Sequence, residues 1–357
     1  ILIVPYYSVI GGWVVKYLIE YIKGNGHALS SDGYFSTFIS NGVSTELCFI
    51  AFSLLTLIIV FAGVKNGIER VSKIMMPILV VLSCVITVYS VTRPGALEGV
   101  KYFLVPNFKN FSWMTVVTAM GQMFYSLSIA MGILITFGSY TEKEVSIENS
   151  TENVEVFDTA IAIMAGLMII PAVFAFSNGN MDNLNAGPSL MFITIPKVFD
   201  SMGLGTLIGI LFFVLVLFAA VTSSIALTEC AVSTFQDELG WSRHKSVCIL
   251  GIIMLALGSL SSLGYGPLAS IQIIGMQFLD FFDFLTNSVM MPISAICICL
   301  LVSKVIGVDK IAQEVKSHSN PFKREKIFNF MIKYVCPIFA AIILLSSVAN
   351  AFGIIKI

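Results

Sequence analysis

Roughly nine runs of about twenty mostly apolar residues fill this chain, at 1–22, 45–64, 72–92, 114–140, 156–177, 205–235, 246–263, 279–303 and 328–355. Each is long enough to cross the hydrocarbon of a bilayer as a helix, the form in which a segment satisfies its own backbone polar groups. A water-soluble core cannot hide so many. Charged residues make up 11 % of the chain and hydrophobic ones 57 %, where a soluble domain carries about 25 % charged residues. The sequence therefore predicts an all-α polytopic membrane protein.

A net charge of −1 carries no message about nucleic acid or acidic partners. The few charges matter by position. Thirteen of the twenty Lys and Arg, Lys65, Arg70, Lys143, Arg243 and Lys304 among them, fall in loops on one side of the predicted spans. By the positive-inside rule that side is cytoplasmic, with residue 1 inside, the C-terminus outside, and a plasma (inner) membrane as the location. The seven cysteines lie in or beside apolar segments and read as packing residues. His27, His244 and His318 are expected in loops. The chain opens at Ile1 inside an apolar run, with no basic region before it, so we expect a missing upstream portion rather than a signal peptide.

Polar groups inside spans are costly and mark functional sites. Four places stand out. GQMFYSLSIAMG (121–132) puts Ser126 and Ser128, then Ala130 and Gly132, in mid-span. Asp158 stands where the next apolar run begins. Ala219 to Ser224 form a small, hydroxyl-rich patch deep in 205–235. Asp283 lies near the outer end of its span. Each also has a plainer reading: a kink at 121–132, an interfacial or solvated acid at Asp158 or Asp283, and helix–helix contact at Thr222 and Ser223. The segment 178–204, with its proline-bounded LMFITIP, reads equally as a surface loop with a short helix or as a lid. What unites the polar places is the need of a hard cation for carboxylate, hydroxyl and carbonyl oxygens, which a broken helix supplies at membrane depth. No HExxH or GxSxG motif and no span histidine supports an enzyme. No filter-like motif supports a channel.

The stretches KNGIERVSKIMMP (65–77), GQMFYSLSIAMGILITFGSY (121–140), GPSLMFITIPKVF (187–199), LFAAVTSSIAL (217–227) and FQDELGWSR (235–243), with YYSVIGGW (6–13) more loosely, resemble the prokaryotic neurotransmitter:sodium symporters. The resemblance implies the leucine-transporter fold of two inverted five-helix repeats. On it the chain starts at the family's third helix and ends after the eleventh, with the first two absent. Residues 1–113 are then the rest of the first repeat, 114–303 the second repeat, and 304–357 a cytoplasmic loop plus one added helix.

The resemblance also implies site residues. Ser126 and Asp158 match the first sodium site, Asp158 by position where relatives have an asparagine. The position of a glutamate in some bacterial relatives is Ala162 here, so a fixed charge at Asp158 is expected to replace chloride. Ala219, Thr222 and Ser223 match the second sodium site. Ile3, Tyr7, Tyr125, Ser126, Ser128, Met131, Ser223 and Leu227 match substrate contacts, and Ala130 stands in place of a common glycine. Asp283 matches the outer gate, and Asp237 with Tyr140 the inner one. With Met131, Ile3 and Leu227 and no charge for a charged side chain, a neutral, apolar or aromatic amino acid is implied. The expected activity is sodium-coupled symport by alternating access, with Na⁺, an amino acid and lipid as partners and homo-oligomerisation as an option. The missing helices are expected to leave both sodium sites, and transport, incomplete. The alternative is a sensor, or an inactive truncated product, that keeps the fold without turnover.

Overall fold

The computed structural model describes residues 1–177, 187–318 and 322–352. Among these, seven helices are long and apolar enough to cross a membrane: Gly42–Phe61, Val64–Val91, Ile147–Ser177, Gly205–Leu239, Arg243–Leu263, Phe278–Ile306 and Glu325–Ala351. They coincide with seven of the nine predicted spans. The other two differ for separate physical reasons. The first, Ile3–Ile22, is one helix of 20 residues, but its tyrosines, Gly11, Gly12, Lys16 and Glu20 dilute its apolarity. It is also surrounded by protein, with Val4, Tyr6, Val9, Trp13, Tyr17 and Tyr21 all buried, so protein rather than lipid solvates it. The other, at 114–140, is two short helices, Trp113–Ser126 and Ile133–Ser139.

The chain forms two compact units. The larger comprises Ile1–Pro106 and Ile161–Phe281, the smaller Asn107–Ala160 and Phe282–Ile357. In the larger unit, Ile3–Ile22 packs on Gly42–Phe61, Gly205–Leu239 and Arg243–Leu263. Close approach needs glycine there: a Cβ on Gly12 would lie 2.6 Å from the backbone nitrogen of Phe49. Side chains set the helix starts. Asn41 accepts from Ser44 N–H (3.1 Å) and Ser242 from Lys245 N–H (3.4 Å). Ser112 and Thr115 form a reciprocal capping box ahead of Trp113–Ser126.

Three of the five π-helical turns among the described residues, Leu190–Thr194, Phe284–Met290 and Met331–Val335, each end two residues before a proline: Pro196, Pro292 and Pro337. Proline lacks an N–H and crowds the carbonyl four residues back, and the wider turn relieves that crowding. The LMFITIP segment is helical, with Phe192 and Ile195 buried in the larger unit, as are Val198 and Phe199 just after it, while 178–186 lie outside the described residues. His27 and His244 are not in loops: they sit in the helices Gly26–Leu29 and Arg243–Leu263. The connection after the first span folds into short helices, and Ser242 caps a helix that begins at Arg243, one residue before His244. His318 ends the helix Val308–His318, because the amphipathic pattern continues that far. All seven cysteines are free thiols.

Candidate functional site

The break in 121–132 is built by its own residues. The helical ladder runs up to Leu127 N–H on the Met123 carbonyl and resumes with Thr136 N–H on Gly132. Ile129 N–H bonds the Phe124 carbonyl and Ser128 N–H the Tyr125 carbonyl, the paired bonds that close a helix with a left-handed residue. Ser128 takes the left-handed position at φ 54°, Ala130 follows at 63° and Gly132 at 82°. Left-handed geometry is easy for glycine and costs a residue with a Cβ about 1–2 kcal/mol. The chain therefore spends strain here, a mark of functional sites when the surroundings hold it in place.

The smaller unit supplies that hold. Ser126 Oγ donates to Asp158 Oδ1 at 2.7 Å. The helix Ile147–Ser177 brings the carboxylate to the end of Trp113–Ser126. The serine hydroxyl gives its proton to the carboxylate and keeps lone pairs with which to accept. Tyr125, Ser128 and Met131 flank the break and are half-buried. A cavity of about 180 Å³ lies beside Tyr125 in the same unit, lined by Phe124, Met291, Pro292 and Ile343.

The larger unit presents a second set. Ala219, Thr222, Ser223 and Leu227 lie on the unbroken helix Gly205–Leu239. Thr222 Oγ1 donates to the carbonyls of Phe218 and Ala219, each at 3.0 Å. Ser223 is exposed and pairs through its side chain with Tyr7. Ile3 sits one turn before Tyr7 on Ile3–Ile22, as Leu227 sits one turn after Ser223. Asp237 is exposed near the end of the same long helix.

Of the remaining residues expected at the gates, Asp283 accepts from Asn287 Nδ2 at 2.6 Å, one turn along its own helix. Tyr140 is 40 % exposed and stacks edge-on near Phe137 at 6.0 Å. The structure thus brings together Ser126 with Asp158 in one unit and Tyr7 with Ser223 in the other.

Sequence reasoning passed over a buried ion pair. Glu229 is fully buried in Gly205–Leu239. Both its oxygens accept from Arg243, at 2.9 and 2.6 Å. Arg243 also donates twice to the Val60 carbonyl, at 3.1 and 2.7 Å, near the end of Gly42–Phe61. The available signal was an acid inside an apolar run with an arginine 14 residues on.

Residues 18–354 match the model of the sodium:neurotransmitter symporter family. An uncharacterized sodium-dependent transporter of Bacillus subtilis, YhdH, is 34 % identical over 359 residues, spanning 99 % of this chain and 78 % of the relative. An uncharacterized sodium-dependent transporter of Haemophilus influenzae is 31 % identical, spanning 97 % of this chain and 76 % of the relative. The crystal structure of MhsT in complex with L-phenylalanine matches with a TM-score of 0.83 at 36 % identity, over 97 % of this chain and 78 % of that one. The broken span, the carboxylate bonded to it and these matches agree: the chain belongs to the sodium:neurotransmitter symporter family, a family of membrane transporters rather than enzymes.

Proposed function

We propose that the protein is a sodium-coupled symporter of neutral, apolar or aromatic amino acids that works by alternating access and needs no chloride. The observation that carries this reading is the Ser126–Asp158 bond at the break. It puts a fixed carboxylate beside hydroxyl and unladdered backbone oxygens, the donor set a hard cation takes. In the smaller unit, Ser126 and Asp158 would bind the first sodium, while Tyr125, Ser126, Ser128 and Met131 would contact substrate. In the larger unit, Ala219, Thr222 and Ser223 would bind the second sodium, while Ile3, Tyr7, Ser223 and Leu227 would contact substrate. Asp283, Asp237 and Tyr140 are assigned to the gates. The repeats are taken as 1–113 and 114–303, with 304–357 added, and nine crossings place residue 1 on the cytoplasmic side of the plasma membrane.

An apolar set of Ile3, Met131 and Leu227 supports a neutral side chain, as does the L-phenylalanine bound to MhsT. A negative charge already fixed at Asp158 balances the cation, so no anion from solution is called for. The test is uptake of labelled amino acids by the full-length protein in proteoliposomes. Sodium-driven uptake, strongest competition by aromatic or aliphatic amino acids, and full activity with gluconate in place of chloride are expected. Strongest competition by glutamate or lysine, or a several-fold fall in gluconate, would count against it.

A further inference from the structure

The break carries a load that its own sequence does not balance. Ser128 and Ala130 both hold a left-handed backbone that a Cβ disfavours, and such residues persist only where neighbours over-determine them. Among the side-chain bonds that reach the segment from elsewhere in the smaller unit are those of Asp158 and Ser294. Ser126 to Asp158 is already assigned to the cation. Ser294 Oγ donates to the Ala130 carbonyl at 3.2 Å.

Ser294 is one of the hydroxyls that leave their own helix, as Thr87 does for the Met164 carbonyl and Thr56 for Ser224. Several hydroxyls in the apolar helices turn back onto their own helix, as Ser83 does to Leu79, Thr222 to Phe218 and Thr286 to Phe282. Ser294 instead reaches a residue 164 positions away. Its helix, Met291–Leu300, follows the π-helical turn Phe284–Met290 and carries Pro292 in its first turn. A cavity of about 180 Å³ is lined by Phe124 and Tyr125 together with Met291 and Pro292, so part of the van der Waals attraction between these stretches is given up. The hydrogen bond at Ala130 joins the broken segment to that helix directly.

We propose that Ser294 is a positioning residue of the broken helix: by holding the Ala130 carbonyl it fixes the peptide from which Met131 departs, and so sets which substrate sizes are accepted. The inference rests on the assignment of Met131 to the substrate. Without the hydroxyl, the Ala130–Met131 peptide can turn, and Met131 samples more positions.

The test compares the parent with Ser294→Ala, which removes the donor, and Ser294→Thr, which keeps it. Hydrogen exchange of the purified full chain, without sodium or substrate, reads the segment directly. Exchange over 127–133 is expected to quicken about 3- to 10-fold in S294A, the worth of one net hydrogen bond, with Gly42–Phe61 unchanged and S294T close to the parent. In proteoliposomes the KM ratio between L-phenylalanine and L-alanine is expected to shift by a similar factor in S294A at unchanged kcat. Unchanged exchange, an unchanged KM ratio, or an S294T chain as impaired as S294A would each overturn the proposal. A parent without sodium-driven uptake would defeat the transport reading, while the exchange result would still decide the role of Ser294 in the break.

Discussion

The segments FYSLSIAMG (124–132) and FAAVTSSIA (218–226) are built from nearly the same small and hydroxyl residues, yet one breaks and the other stays helical. In the second, Thr222 bonds back to the Phe218 and Ala219 carbonyls, and Thr228 to Ser224. Its Val221, Ser224 and Ile225 are buried against neighbouring helices. In the first, the Ser126 hydroxyl leaves its helix for Asp158, Ser294 takes the Ala130 carbonyl, and Gly132 starts the next helix in a left-handed conformation. Composition is thus permissive in both places. An outside partner does not break a helix by itself, since Ser223 pairs with Tyr7 and Ser224 with Thr56; what sets the first segment apart is the run of left-handed residues at Ser128, Ala130 and Gly132.

The largest effect should come from unlocking the unbroken helix. Replacing Arg243 by Ala takes both guanidinium bonds from the fully buried Glu229 carboxylate, a loss of about 3–5 kcal/mol. Thermal unfolding in detergent should show it as a large fall in Tm, and a fall of only a degree or two would mean that water reaches the pair. At the break, Asp158→Asn should weaken sodium by about tenfold, or 1.4 kcal/mol, and make uptake respond to chloride. Sodium titrations with and without chloride check both, and a variant indifferent to the anion would separate Asp158 from the cation.

The same substitution should have opposite signs in the two segments. Ala130→Gly relieves the left-handed strain and should stabilise by about 1 kcal/mol, whereas Ala219→Gly loosens a helix interior and should destabilise by about 1 kcal/mol. Equal signs in a denaturation series would erase the contrast. The smallest effect belongs to an exposed pair in the larger unit, Lys197 with Asp32 at 2.6 Å. Lys197 holds the Asp32 carboxyl below its usual range. Its contribution is present above the unfolded value of about 3.9 and fades as pH falls through the lower folded value. Asp32→Asn should remove that slight acid sensitivity from the Tm profile.

Apolar runs made the crossing segments legible, since a bilayer permits few other solutions. The break was legible because Ser126, Ser128, Ala130 and Gly132 are poor company for a lipid-facing helix, and cation chemistry pointed from Ser126 to Asp158. Ser294 could not be read in advance: a lone serine among Met, Ile and Ala shows no sign of a partner 164 residues away. The Glu229–Arg243 pair was hidden because Arg243 looks like one more positive loop residue until its guanidinium is seen turned onto Glu229 and Val60. The burial of Ile3–Ile22 also lay beyond a one-dimensional pattern, because apolar runs do not tell protein neighbours from lipid.

That central helix has a consequence for how the protein is made. Lys16 and Glu20 are joined at 2.8 Å one turn apart, and Glu20 is 8 % exposed. A segment bearing both charges partitions poorly from the insertion machinery into lipid by itself. It enters more readily with the pair already joined and with Gly42–Phe61 beside it, since Gly12 admits the backbone at Phe49. Biogenesis should therefore proceed by helical hairpins here, and a ribosome-bound chain ending between the two helices should hold Ile3–Ile22 at the translocon rather than release it.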